Sequence, residues 1–450
     1  TGGQCDGFGA AAASAIASNT SLNCLSTQNP AIDLPFCETF DGAIDPLNWS
    51  YNVTGTIVNS NTAPSGPQAL LLNGCCAGCN QLPAPDELRS SRIRLGVVAN
   101  ATLAYYARYA GAMQGGGGDL VVEYRSDANA WVEFNRIAVG AGPDPAFQLY
   151  AHALPPNAQH DEFRVRFRLA QTDSVAAWEL DDVSISAASA ESPVLYVDAD
   201  APPGGDGGSW GTAYRDLQEA LASAECSLGL VEEIWVAEGI YRPDRGTGMR
   251  ESALQLQDDL ALYGGLAGTE TSRDERNPSL HPTILSGDVS DIGTTGDNVY
   301  HVVSVGMTTG AVVDGFVIRD GNANGLISTP RAFGAGAYSA GGFAQFTGCT
   351  FVANLAAYGG GAHAELGGEL RLTKCDFKGN SAAVDGGAVS AGQGATVYVE
   401  RCRLVENTAG RYGGAAYASI SGMHITDSVL IGNVGGWGGG AYFASGFGSM

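Results

Sequence analysis

The chain has 450 residues, of which only 16% are charged and 64 are glycine, a turn-rich composition well above the usual ~7% glycine. Its net charge of −24 repels nucleic acid and anionic lipid, which sets aside a DNA- or RNA-binding role and favours solubility and cation binding. No run of 18 or more apolar residues occurs, so no segment is expected to cross a membrane as a helix.

Residues 1–36 are mostly Ala, Ser, Gly and Asn without periodicity and read as an N-terminal segment tied down by cysteines. Thr1 in place of a start methionine points to a signal peptide or upstream region that has been removed. Six of the ten cysteines (Cys5, Cys24, Cys37, Cys75, Cys76, Cys79) fall in the first eighty residues, a density that favours disulfides in an oxidising compartment. Cys75, Cys76 and Cys79 have no histidine nearby and no second paired-cysteine motif, which disfavours zinc. Six cysteines leave the pairing open, and at least one bond from Cys37 to the Cys75–Cys79 cluster is expected.

Between 37 and 190 the texture changes to short β-type runs separated by turns, at 49–58, 69–72, 91–98, 101–109, 120–125, 131–138, 147–152, 163–169 and 178–185. That number of short strands predicts a β-sandwich of the jelly-roll kind. The opening CETFDGAIDPLNW from Cys37 and the closing WELDDVSIS from Trp178 resemble the first and last strands of MAM and carbohydrate-binding jelly-roll modules. The resemblance implies that the terminal strands are neighbours and that acids there hold a structural calcium. Glu38, Asp41, Asp181 and Asp182 are the matching positions, and carboxylate oxygens are what calcium takes.

From 191 onward the sequence gives a strand, a Gly/Pro/Asp loop and an amphipathic helix with Ala213, Leu217, Ala220 and Leu221 on one face. This segment resembles the helix that plugs the N-terminal end of bacterial parallel β-helices. Asp198, Asp200 and Asp206 read first as a solvated acidic turn, with a cation-binding loop as the alternative. Strand-like runs follow through 233–318, with an insertion at 325–331 of the sort that builds grooves at solenoid corners.

The chain then repeats itself. CTFVANLAAYGGGA from Cys349, CDFKGNSAAVDGGA from Cys375, CRLVENTAGRYGGA from Cys402 and SVLIGNVGGWGGGA from Ser428 place Asn354, Asn380, Asn407 and Asn433 at intervals of 26, 27 and 26 residues. Phe351, Phe377, Leu404 and Leu430 form one inward column, and Cys349, Cys375, Cys402 and Ser428 a second. The asparagines are expected at a strand-ending corner, tolerating left-handed backbone and bonding amide to amide between coils. The F-x-x-N and G-G-A pattern resembles the polymorphic outer-membrane protein repeat, which implies a right-handed parallel β-helix of the pectate-lyase-like class. The last residues fall inside a coil, so the helix is expected to be truncated at its C-terminal end.

The expected architecture is therefore all-β, with an N-terminal segment at 1–36, a jelly-roll sandwich at 37–190 and a capped right-handed parallel β-helix at 191–450. No phosphate loop, nucleophile elbow or HExxH motif is present, and no histidine sits in the Gly-His-Gly of polygalacturonases. Asp288, Asp291 and Asp297 with Arg319 are the nearest approach to a pectate-lyase-like site. The favoured expectation is a non-catalytic, adhesin-like binding protein, secreted or at the cell surface of the bacterial outer-membrane type, that takes a polysaccharide or surface glycan. A pectate-lyase-like polysaccharide lyase and a structural envelope or stalk protein are the alternatives. The column four residues after each asparagine (Tyr358, Val384, Arg411, Trp437) is expected to face solvent, with Tyr358, Arg411 and Trp437 as ligand contacts.

Overall fold

The computed structural model describes residues 36–449 apart from 41–42, 54, 61–62, 65, 67, 73–86, 97–100, 113–117, 140–141, 171–175, 187–192, 290–293 and 445–446. Asp41, Asp291, Cys5, Cys24, Cys75, Cys76 and Cys79 lie outside the described residues. The chain divides into two compact units, residues 1–186 and 187–450.

The first unit is an antiparallel sandwich. Its strands are β1 (Phe36–Glu38), β2 (Trp49–Val53), β3 (Thr56–Asn59), β4 (Gln68–Leu72), β5 (Glu87–Ser90), β6 (Thr102–Ala112), β7 (Leu120–Arg125), β8 (Trp131–Ile137), β9 (Gln148–Ala153), β10 (Val165–Leu169) and β11 (Ala176–Ser186). One sheet runs β3-β4-β11-β6-β9 with β1 added on β11, and the other runs β2-β5-β10-β7-β8. First and last strands are therefore hydrogen-bonded neighbours, with Phe36 opposite Ile185. Alternation explains the layer between the sheets: Val165, Phe167 and Leu169 point in and are buried, while Arg166 and Arg168 point out. Trp49, Tyr105, Phe167 and Trp178 supply the largest rings of that core.

The second unit is a parallel β-helix built from four stacked sheets. Nine strands run from Val194–Val197 to Phe447–Ser449, seven from Gly239–Tyr241 to Val429–Ile431, seven from Leu254–Gln255 to Ala441–Ala444, and five from Asn322–Ala323 to Val434–Trp437. The helix α1 (Leu217–Glu225) begins at Asp216, whose carboxylate accepts the Gln218 N–H at 2.8 Å. Its buried Leu217, Ala220, Leu221 and Ala224 join the apolar core of the first coils with Leu195, Ile234 and Leu254.

Inside the coils, side chains of one kind lie on their own copies. Phe351 and Phe377 stack with centroids 4.5 Å apart, and Leu404 continues the column, fully buried. Cys349, Cys375 and Cys402 are free buried thiols that hydrogen-bond to carbonyls, acting as small core residues. The asparagine ladder is continuous. Nδ2 of Asn354, Asn380 and Asn407 donates to Oδ1 of the next asparagine at 3.0, 3.0 and 2.9 Å, and each Oδ1 also accepts the backbone N–H of the asparagine above. Left-handed backbone, however, falls one residue earlier than expected, at Ala353, Gly379, Glu406 and Gly432 with φ of 56, 61, 57 and 64°. The ladder asparagines themselves stay out of the left-handed region.

Candidate functional site

The corner that follows each ladder asparagine brings the outer faces of two sheets together. In the five-stranded sheet, Tyr358 pairs with Asp385, Asp385 with Tyr412 and Tyr412 with Trp437. The expected column Tyr358, Val384, Arg411, Trp437 is thus not one column. The turn glycine stands five positions after Asn354 and Asn433 (Gly359, Gly438) but six after Asn380 and Asn407 (Gly386, Gly413), and the register shift absorbs the extra residue. Counting back from the glycine pair, rather than forward from the asparagine, finds the true column.

Asp385 is fully buried and holds the Arg411 guanidinium through Oδ1 at 3.0 Å and Oδ2 at 2.6 Å, while the Tyr412 N–H donates to Oδ1 at 3.1 Å. The guanidinium lies over the Tyr412 ring at 4.7 Å. Tyr358 packs face to face with Phe333, its parallel bridge partner, and Tyr412 with Tyr442 at 4.4 Å. Rings on adjacent coils therefore cover one another along the stack. Trp437, 68% exposed, is the open member of the column.

The adjoining sheet carries Tyr338, His363, Ser390, Tyr417 and Tyr442 in one register row, and His301, just before the strand Val303–Val305, stacks on Tyr338. His363 pairs with Tyr338 and Ser390. A hydroxyl, an imidazole and a carboxylate meet here: Ser390 Oγ lies 2.6 Å from His363 Nδ1, and His363 Nε2 lies 3.8 Å from Glu365 Oε2. The Tyr338 hydroxyl and the Gln393 amide donate to Glu365 at 2.5 and 2.9 Å. Burial pulls the His363 pKa below its ordinary value and brings His301 down to about 4, so both rings are neutral at pH 7. With Ser390, His363 and Glu365 at 1, 4 and 5% exposure, the cluster is closed to substrate and ties three coils together. In the region expected to resemble a lyase site, Ser286 pairs with Arg319, whose guanidinium reaches Asp320 at 3.2 Å. Among the described residues no group of three or more His, Cys, Asp or Glu is placed to hold a metal.

In the sandwich, Glu38 lies opposite Val183 and so one residue from Asp182, while Asp181 is fully buried. A bulge between Asp181 and Ser184 puts Asp182 at φ 47°. The Glu38 carboxylate accepts the Trp49 Nε1–H at 3.1 Å and the Asn48 amide at 3.3 Å. Cys37 is disulfide-bonded, as is Cys226, which sequence reasoning did not single out.

The other sandwich sheet presents a charged outer face that sequence reasoning missed. Arg166 pairs with Arg89 on one side and Glu123 on the other, and Arg166 and Arg168 donate to Glu123 Oε2 at 2.5 and 2.8 Å. These bonds hold the Glu123 carboxyl below the usual range despite the opposing effect of burial. Arg166 and Arg89 lie over the half-buried Trp131 ring at 4.3 and 5.3 Å. The alternation Arg164, Arg166, Arg168 was the available signal.

No family model matches the chain, and no curated protein matches it. Among solved structures, it is similar to the K3 cleaved adhesin domain of Lys-gingipain from Porphyromonas gingivalis, with 13% identity over 34% of this chain and 96% of that one, at a TM-score of 0.24. It is also similar to the CBM22-1 xylan-binding domain of Paenibacillus barcinonensis Xyn10C, with 16% identity over 33% of this chain and 91% of that one, at a TM-score of 0.22. A family 22 carbohydrate-binding module of Clostridium thermocellum Xyn10B matches with 14% identity over 33% and 91%, at a TM-score of 0.24.

Proposed function

We propose that the chain is a secreted or cell-surface binding protein, non-catalytic, that takes a glycan on the outer face of the β2-β5-β10-β7-β8 sheet. The observation that carries this reading is the arrangement on that face. Trp131, Arg89 and Arg166 form a planar apolar and hydrogen-bonding surface on rigid strands, the mixture that suits a sugar ring with its apolar faces and hydroxyl rim. The ring stack of the β-helix is better suited to rigidity, since its faces are taken by neighbouring rings; Trp437 alone in its column offers an open ring for a second contact. The disulfide-bonded Cys37 and Cys226 support an oxidising, extracellular setting. The test is retention of the full chain on a panel of immobilised polysaccharides, with simultaneous assay for new reducing ends and unsaturated uronate product. Retention without product is expected. Product release would instead support the lyase alternative, and failure to bind any polysaccharide would favour the stalk.

Calcium belongs to the same proposal. Glu38, Asp181 and Asp182, with Asp41 outside the described residues, would hold it through hard carboxylate oxygens, and the bound ion would fix the junction of β1 and β11. A ligand that binds only the folded sandwich must raise its melting temperature. Saturating calcium is expected to shift the first unit's transition upward by several degrees at roughly 2–3 kcal/mol of stabilisation, the size expected at ~100-fold excess over Kd. An unchanged transition would remove the ion.

A further inference from the structure

On the same sheet face, one row beyond Trp131's arginine contacts, the strands set cations side by side. The bridge between Ile93 and Phe163 puts Arg92 beside Arg164. The Arg164 carbonyl accepts the Arg125 N–H at 2.9 Å, and Arg125 pairs with Trp131. Because Ile93, Phe163 and Tyr124 are buried, their neighbours Arg92, Arg164 and Arg125 all project from the outer face. The row across the sheet therefore reads Arg92, Arg164, Arg125, Trp131.

Carboxylates balance the next row, whereas in this one Glu162 alone faces the arginines among the described residues. Glu123 and Glu87 are engaged by Arg166, Arg168 and Arg89. Arg92 reaches the exposed Glu162 at 2.7 Å. Among the described residues, neither Arg125 nor Arg164 has a carboxylate partner; Nη1 of Arg164 reaches only the Ser50 hydroxyl, at 3.4 Å, and its buried Nε–H has no acceptor. Burial, followed by the positive charges of Arg125, Arg89 and Arg92, lowers the Arg164 pKa from the ordinary arginine value. Like charges on directly opposed strands are destabilising, and a chain of net charge −24 has few cations to spare for such a cluster.

We infer that this row is a binding site for an anionic polysaccharide, one whose sugars carry carboxylate or sulfate groups. The inference rests on the glycan-binding reading of the sheet and adds the ligand's charge to it. The physical reason is that guanidinium forks match the paired oxygens of a carboxylate or sulfate, so such a ligand supplies both the acceptors that Arg125 and Arg164 lack and the charge that relieves their repulsion. A neutral sugar supplies hydroxyls but leaves the repulsion in place.

The experiment compares binding of the full chain to dextran sulfate, polygalacturonate, dextran and a neutral xylan at low and at physiological salt. At least one anionic polymer is expected to bind about tenfold or more tightly than the neutral ones, and more weakly as salt rises. The sulfate and uronate arms tell the two anion sources apart. The double variant Arg125→Gln, Arg164→Gln is expected to lose about tenfold or more of that affinity. Its melting temperature without ligand should be unchanged or higher, because it removes a repulsion. The double lysine variant, which keeps the charge but not the fork, should fall between and serves should the glutamine pair fail to fold. Preference for neutral polymers would overturn the inference while leaving the glycan reading intact. Anionic binding that survives both double variants would place the site elsewhere, and absence of binding to every polymer would end both readings.

Discussion

Replacing Phe377 by alanine is expected to cost about 3–5 kcal/mol, the range for emptying a fully buried aromatic site. The ring is enclosed by Phe351, stacked at 4.5 Å, and by Leu404, its register partner in the next coil. Main-chain pairing on both sides leaves the coil little room to collapse into the cavity. Phe377→Leu makes the informative control. Leu404 already occupies this column, so leucine is compatible with the backbone and should cost much less than alanine. Guanidinium denaturation of the full chain, followed through the β-helix transition, measures both. Equal losses for the two variants would mean that the column is not packed as described.

Asn380→Ala should cost about 3 kcal/mol, because each buried polar group left unpaired is worth about 1–3 kcal/mol. Four hydrogen bonds end on this side chain: it donates to Asn407 Oδ1 and the Phe351 carbonyl, and accepts from the side chain and backbone N–H of Asn354. Asn380→Asp tests the direction of the ladder. A carboxylate can accept from Asn354 but cannot donate to Asn407, so the aspartate variant should also be destabilised, and less so under acidic conditions where the carboxyl is protonated. Hydrogen exchange in strands Asp376–Lys378 and Ser381–Asp385 should quicken in both. Unchanged exchange there would contradict the ladder's energetic role.

The β-helix was legible because its determinants are periodic. Cysteine or serine and phenylalanine or leucine recur at fixed distances before each asparagine, and a solenoid converts those distances directly into vertical stacking. What failed was counting past the corner. The interval after Asn380 and Asn407 holds one more residue than that after Asn354 and Asn433, so Asp385 and Tyr412 replaced Val384 and Arg411 in the column. Arg411 nevertheless lies at the surface, with its head group anchored to the buried Asp385 carboxylate.

The sandwich was legible at its ends and not across its middle. Adjacency of β1 and β11 followed from the resemblance of the terminal motifs and is present as the Phe36–Ile185 pairing. The arginine row is different, because its members come from residues 92, 125, 131 and 164 and meet only through the sheet order β5-β10-β7-β8. Antiparallel pairing between strands distant in sequence leaves no spacing to read, so Arg164 beside Arg92 and Arg125 is visible only in three dimensions.

Amide hydrogen exchange of the full chain, with and without a bound polysaccharide, locates the ligand directly. Binding on the sandwich face is expected to slow exchange in β5, β7, β8 and β10 and to leave the β-helix corner at Leu355–Tyr358 and Thr408–Tyr412 unchanged. Protection confined to that corner, with the sandwich strands unaffected, would contradict the assignment of the glycan site.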